Sequence, residues 1–102
     1  MDLGTTIKKI RQQKGIRQNS LAEIIGITQT YLSQIENNVK EPNLSTLRKI
    51  SKELNLPLPI LFFLSLDDRD IKPEKRIAYN LLAPSIKAMI TEFFANASLI
   101  ND

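Results

Sequence analysis

A chain of 102 residues is long enough for one compact domain with an appendage and too short for two full-sized domains. Apolar residues make up 42%, enough for a packed core, while Cys and His are both absent. Their absence excludes disulfides, thiolate metal sites, Cys nucleophiles, the commonest general base and the commonest transition-metal ligand. The net charge of +3 is uneven: residues 1–66 carry nine Lys/Arg against five Asp/Glu, and residues 67–102 carry five against six. A +4 surface on the N-terminal part favours a polyanionic partner there.

Leu3, Ile7 and Ile10 recur at helical spacing with Lys8, Lys9, Arg11 and Lys14 between them, and Gly15 ends this first helix as a cap. A second helix is expected over Gln18 to Ile25, followed by Gly26 where a tight turn needs positive φ. Thr28 is a good N-cap for a third helix that stops at Asn37 or Asn38, asparagine being the best non-glycine residue for a left-handed cap. A polar loop over 38–43 leads to a fourth helix marked by Leu44, Leu47, Ile50, Ser51 and Leu54, capped by Asn43 or Ser45. A fifth short helix over 58–64 carries proline in its first turn, where the missing amide costs little.

The five-helix unit, residues 1–66, closes near Leu66, and the charged run at 67–70 reads as a linker into a C-terminal extension, residues 67–102. Pro73 sits at a helix start, a sixth helix is expected over 74–82, and Pro84 breaks or kinks the chain. Beyond it Ile86, Met89, Ile90, Phe93, Phe94 and Ala97 follow the spacing of one helix face. The fold class is therefore all-α. Residues 1–14 are too polar for an apolar targeting core, and the apolar run 56–64 is interrupted by Pro57 and Pro59 and too short for a bilayer. A soluble cytoplasmic protein without membrane association is expected. No paired-carboxylate, Ser–Lys or Gly-rich phosphate motif stands out, so neither catalysis nor a cofactor or metal is expected.

Residues 18–37 carry most of the information. Leu21, Ala22, Ile25, Ile27, Leu32 and Ile35 face inward, while Gln18, Gln29, Thr30, Ser33, Gln34 and Asn37 form an outward row of amides and hydroxyls. Such a row suits a helix laid against base edges in a DNA groove. Gln18, Leu21-Ala22-Glu23, Gly26-Ile27-Thr28, Leu32 to Asn37, Pro42 and the Leu44-to-Leu54 helix together resemble the lambda-repressor-like helix-turn-helix family of bacterial and phage regulators. The resemblance covers residues 5–64 and rests on several constraints at fixed spacing.

The resemblance implies a five-helix DNA-binding domain whose third helix enters the major groove of double-stranded DNA with its N-terminal end foremost. Gln29, Thr30, Ser33 and Gln34 are then the base-reading candidates, Gln29 first because a carboxamide can bridge adenine N6 and N7. Arg17, Gln18, Tyr31, Asn37, Asn38, Lys40 and Asn43 are the phosphate-contacting candidates, which position without reading sequence. Tyr31 is equally readable as packing, and Arg17 departs from the Ser or Thr more frequent in the family. Similar members also pair an arginine of the first helix with a glutamate at the end of the third, here Arg11 and Glu36.

The stripe Ile86, Met89, Ile90, Phe93 and Phe94 is too apolar to be left in water. It serves a homodimer, packs back onto the helix at 58–64, or takes another protein partner. The functional expectation is a sequence-specific transcriptional regulator, a repressor on an inverted repeat. The alternatives are a restriction-modification controller or an antitoxin of the same fold, or an interaction module that has lost DNA binding. The absence of Asp and Glu from residues 28–34 argues against the last.

Overall fold

Six α-helices and two 3-10 turns make up residues 1–95, the part of the chain that the computed structural model describes. The helices are α1 (Leu3–Gln13), α2 (Gln18–Ile25), α3 (Gln29–Glu36), α4 (Leu44–Glu53), α5 (Leu58–Ser65) and α6 (Arg76–Ala95). The 3-10 turns are Asp68–Asp70 and Pro73–Lys75.

Local signals account for most of these boundaries. Thr28 Oγ1 accepts from the Tyr31 amide at 3.0 Å and Asn43 Oδ1 from the Thr46 amide at 2.8 Å, so α3 and α4 each begin on a side-chain cap. Asn43, rather than Ser45, is the cap of α4. Gly15, at φ +70°, and Gly26, at φ +77°, close α1 and α2 in the left-handed region. Asn38 does the same after α3 at φ 59°, and Asn55 after α4 at φ 54°.

The core gathers the apolar stripe of each helix: Ile7 and Ile10 from α1, Leu21 and Ile25 from α2, Leu32 and Ile35 from α3, and Leu47, Ile50, Leu54, Leu56 and Leu61 from the C-terminal half. Ala22 is buried between them, and its small side chain lets α2 and α3 cross closely. Helix α1 packs on both α3 and α5, and α2 on both α3 and α4. The helix pair that meets at Gly26 is therefore braced from both sides.

The extension differs from the expectation in one respect. A helix over 74–82 separated by Pro84 from a last helix does not occur; α6 runs from Arg76 to Ala95 with Pro84 inside it. Proline removes its own amide from the helix ladder and crowds the carbonyl four residues back, a cost that the packing around it must offset. Both flanking halves are held by the body: Tyr79 Oη and Lys87 Nζ donate to the same Leu66 carbonyl, and Ala83 is buried. The charged run at 67–70 is an ordered turn, with the Asp67 side chain accepting from the Arg69 amide and Asp70 reaching back to the Asp67 amide at 3.0 Å. Arg76 Nε donates to the carbonyls of Asp68 and Ile71 and ties that turn to the start of α6. At its far end α6 meets α1: Lys14 Nζ donates to the Phe94 carbonyl at 2.7 Å, and Phe94 packs on the core. Ala97, expected to continue the stripe, lies outside the described residues.

Candidate nucleic-acid interface

The arrangement of α1, α2 and α3 begins from a buried charge. Arg11 of α1 and Glu36 of α3 meet as a two-pronged pair, Nε to Oε2 at 2.7 Å and Nη2 to Oε1 at 2.9 Å. Their side chains are only 8% and 1% exposed. The remaining guanidinium arm donates to the Ile16 carbonyl at 2.8 Å, so the loop between α1 and α2 is fixed by the same residue. Gln18 Nε2 donates to Glu36 Oε1 at 3.0 Å, giving the carboxylate a third donor. Net stabilisation from such a pair is small, because desolvation opposes attraction, but an orphaned partner is costly. Its consequence here is geometric: α1, α2 and α3 are joined at one buried point.

That point connects to the surface. Gln29 Nε2 donates to Gln18 Oε1 at 3.3 Å, so an unbroken row runs from Arg11 through Glu36 and Gln18 to the exposed first residue of α3. A primary amide has two N–H donors and a carbonyl with two lone pairs. Gln29 therefore keeps its oxygen and one N–H for another partner while held in place.

A second contact fixes α3 against α1. A Cβ on Gly4 would lie 2.2 Å from the Ile35 carbonyl oxygen and 2.6 Å from Asn38 Oδ1, so α1 approaches the end of α3 at a distance only glycine permits. Across this contact Asn38 Oδ1 accepts from the Gly4 amide at 3.0 Å and Asn38 Nδ2 donates to Asp2 Oδ1 at 2.7 Å. The bond from Asn38 is the main reason that the Asp2 carboxyl sits below its ordinary pKa. Sequence reasoning missed Gly4, since an isolated glycine in a helical pattern carries no sign of what will press on it. Both ends of the Asn38 carboxamide are thus engaged within the fold.

The other candidates divide by exposure. Gln29, Thr30 and Asn37 are exposed, Ser33 and Gln34 are half-buried on the same helix, and Asn37 Nδ2 lies 3.4 Å from Ser33 Oγ. Tyr31 is half-buried and packs against the core. Arg17, Lys40 and Asn43 are exposed at the start of α2 and in the loop after α3, where Val39 is also exposed. Glu36, the single carboxylate of α3, is buried and paired, so the helix shows no negative charge to an approaching polyanion. Among the described residues no group of acidic side chains is arranged to hold a metal ion, and no helix is long and apolar enough to cross a membrane.

The C-terminal stripe is divided. Ile90 and Phe94 are half-buried, Phe94 against the core, whereas Ile86, Met89 and Phe93 stay exposed. Ile77, Leu81 and Leu82 of the same helix are exposed too, and the sequence reading did not single them out.

Two short helices crossing at a glycine turn, the second uncharged on its outer face and pinned from below by a buried ion pair, define a DNA-binding domain of the helix-turn-helix class. Residues 7–61 match the helix-turn-helix family, and the chain belongs to it, in its lambda-repressor-like form. The family is one of DNA-binding transcription regulators.

Among curated relatives, the chain is 46% identical over 55 residues to the HTH-type transcriptional regulator SutR of Escherichia coli, a match over 54% of this chain and 31% of that protein. It is 41% identical over 59 residues to the ImmF control region 10 kDa protein of Bacillus phage phi105, over 58% of this chain and 66% of the relative. It is 35% identical over 79 residues to the antitoxin HipB of Escherichia coli, over 78% of this chain and 84% of that protein. The chain thus spans about a third of the first relative and just under two thirds of the second.

Proposed function

We propose that this protein is a cytoplasmic repressor that binds an inverted-repeat operator as a homodimer. The observation that carries the reading is the row from the buried Arg11–Glu36 pair through Gln18 to Gln29, which holds a base-reading amide at the exposed start of α3. Gln29 is assigned to an adenine edge, its oxygen accepting from N6 and its free N–H donating to N7. Thr30, Ser33 and Gln34 read neighbouring bases on the same groove floor. Arg17, Gln18, Tyr31, Asn37, Lys40 and Asn43 bind phosphates and set the register, with Asn38 holding the loop that presents them. Occupying promoter DNA needs no further chemistry, which is why repression is the reading adopted.

The test is binding to duplex DNA over a range of salt. Phosphate contacts make affinity fall steeply with salt concentration, whereas a protein-interaction module of this fold shows no binding even at low salt.

A second reading, an antitoxin, is favoured by one observation: the match to HipB takes in 78% of this chain and 84% of that protein. An antitoxin has a toxin encoded with it. Loss of the chain then arrests growth, whereas loss of a plain repressor only releases its target genes.

A further inference from the structure

Helix α6 has two apolar sides, and only one of them is used by its own domain. Ala83 is buried, and Ile90 and Phe94 are half-buried, Phe94 being packed on the core. On the other side Leu82 is 61% exposed, Ile86 41%, Met89 70% and Phe93 52%. Ile77 and Leu81 are exposed as well, but at 3.6 residues per turn they fall on another side of the helix.

The spacing of these four is specific. Leu82 and Met89 are seven residues apart, Ile86 and Phe93 are seven apart, and the steps between neighbours are four, three and four. This is the 3.5-residue repeat with which one helix packs its knobs into the holes of a like helix. In that register Ile86 and Phe93 take the a positions and Leu82 and Met89 the d positions, and isoleucine at a with leucine at d favours two strands. One flank of the seam is the buried Ala83 and the half-buried Ile90; the other, Ser85 and Glu92, is polar. The seam itself carries no charge, as a surface that must meet its own copy across a two-fold axis requires.

We infer that the occupant of this seam is α6 of a second copy of the chain, through Leu82, Ile86, Met89 and Phe93, with Ile90 and Phe94 serving the monomer. This rests on the homodimer reading above and names its interface. Position supports it. The helix is anchored independently of any partner by Tyr79 and Lys87 on the Leu66 carbonyl and by Lys14 on the Phe94 carbonyl. Pairing therefore needs no unpacking of the domain and leaves the outer face of α3 open. A helix so anchored also fixes the distance between the two reading heads, which half-sites about one helical turn apart demand.

The test uses the full chain. Leu82→Glu with Met89→Glu places two like charges on each side of the seam. A second variant, Ile86→Lys with Phe93→Lys, uses the other two positions and the opposite charge, so a folding defect peculiar to one variant does not decide the outcome. In light scattering at micromolar concentration the wild type is expected at the dimer mass and both variants at the monomer mass, with helical content unchanged. Binding to an inverted repeat falls at least tenfold, while binding to random DNA at low salt is kept. A dimeric wild type with both variants still dimeric overturns the seam and leaves the homodimer reading standing. A monomeric wild type that binds single half-sites overturns that reading and the seam with it.

Discussion

Two helices of this protein expose a face to solvent for opposite reasons. Helix α3 shows amides and hydroxyls over a buried apolar floor, whereas α6 shows Leu82, Ile86, Met89 and Phe93 over a floor that is already filled. A polar face is comfortable in water and keeps its hydrogen-bonding capacity for bases and phosphates. An apolar face of this size is not, and its partner must be apolar too. The contrast fits the two tasks proposed above, α3 for the DNA groove and α6 for a second copy of the chain.

The largest effect is expected from the point that holds α3 in place. Glu36→Ala leaves the Arg11 guanidinium buried and unpaired and should cost about 3–5 kcal/mol in urea unfolding. A loss within experimental error would mean that the pair does not brace the reading head. Gly4→Ala comes next. Helix propensity alone would make it favourable, but a Cβ at 2.2 Å from a backbone carbonyl forces α1 off α3. A destabilisation of about 1–3 kcal/mol is expected from the forced fit, and calorimetry showing a raised Tm would contradict the close approach.

Changes on the exposed face of α3 should behave differently, altering DNA binding while unfolding stays put. Gln29→Ala should weaken specific binding by about 1–3 kcal/mol and relax preference at one base pair of each half-site. Lys40→Ala should weaken all sequences alike and lower the salt slope by about 1. An equal loss of sequence preference for the lysine variant would erase the distinction between reading and positioning.

The smallest effect concerns acid. The hydrogen bond from Asn38 holds the Asp2 carboxyl below the ordinary carboxylate pKa. The folded pKa is thus below the unfolded one, so this contribution is present above the unfolded value and is lost as pH falls through the folded one. Asn38→Ala should flatten that acid limb of the stability curve, measurable as chemical denaturation midpoints between neutral and acid pH. It should leave the neutral-to-alkaline side unchanged in shape.

How far the sequence reached depended on whether a signal was local. Gly26, Thr28 and Asn43 act on their own turns, and the helix ends follow from them. The Arg11–Glu36 pair was legible through the family resemblance, but its continuation through Gln18 to Gln29 is a property of three helices meeting at one point. Gly4 was not legible, because its requirement comes from a carbonyl on α3 distant in sequence. Pro84 misled for the same reason: its local effect argues for a break, while Tyr79 and Lys87, on either side of it, fasten both halves of α6 to one carbonyl. The apolar stripe of α6 was visible as a pattern, yet its division into an inward and an outward half depends on where α1 and α5 lie.

The central claim is that the exposed start of α3 reads DNA on behalf of a pair of chains. Selection from a random duplex pool, run in parallel with the wild type and Gln29→Ala, tests it most directly. The account predicts that the wild type enriches an inverted repeat with half-sites about one helical turn apart, and that the variant loses preference at one symmetric position while keeping the spacing. No enrichment by the wild type, or identical selected sequences from both proteins, would contradict it.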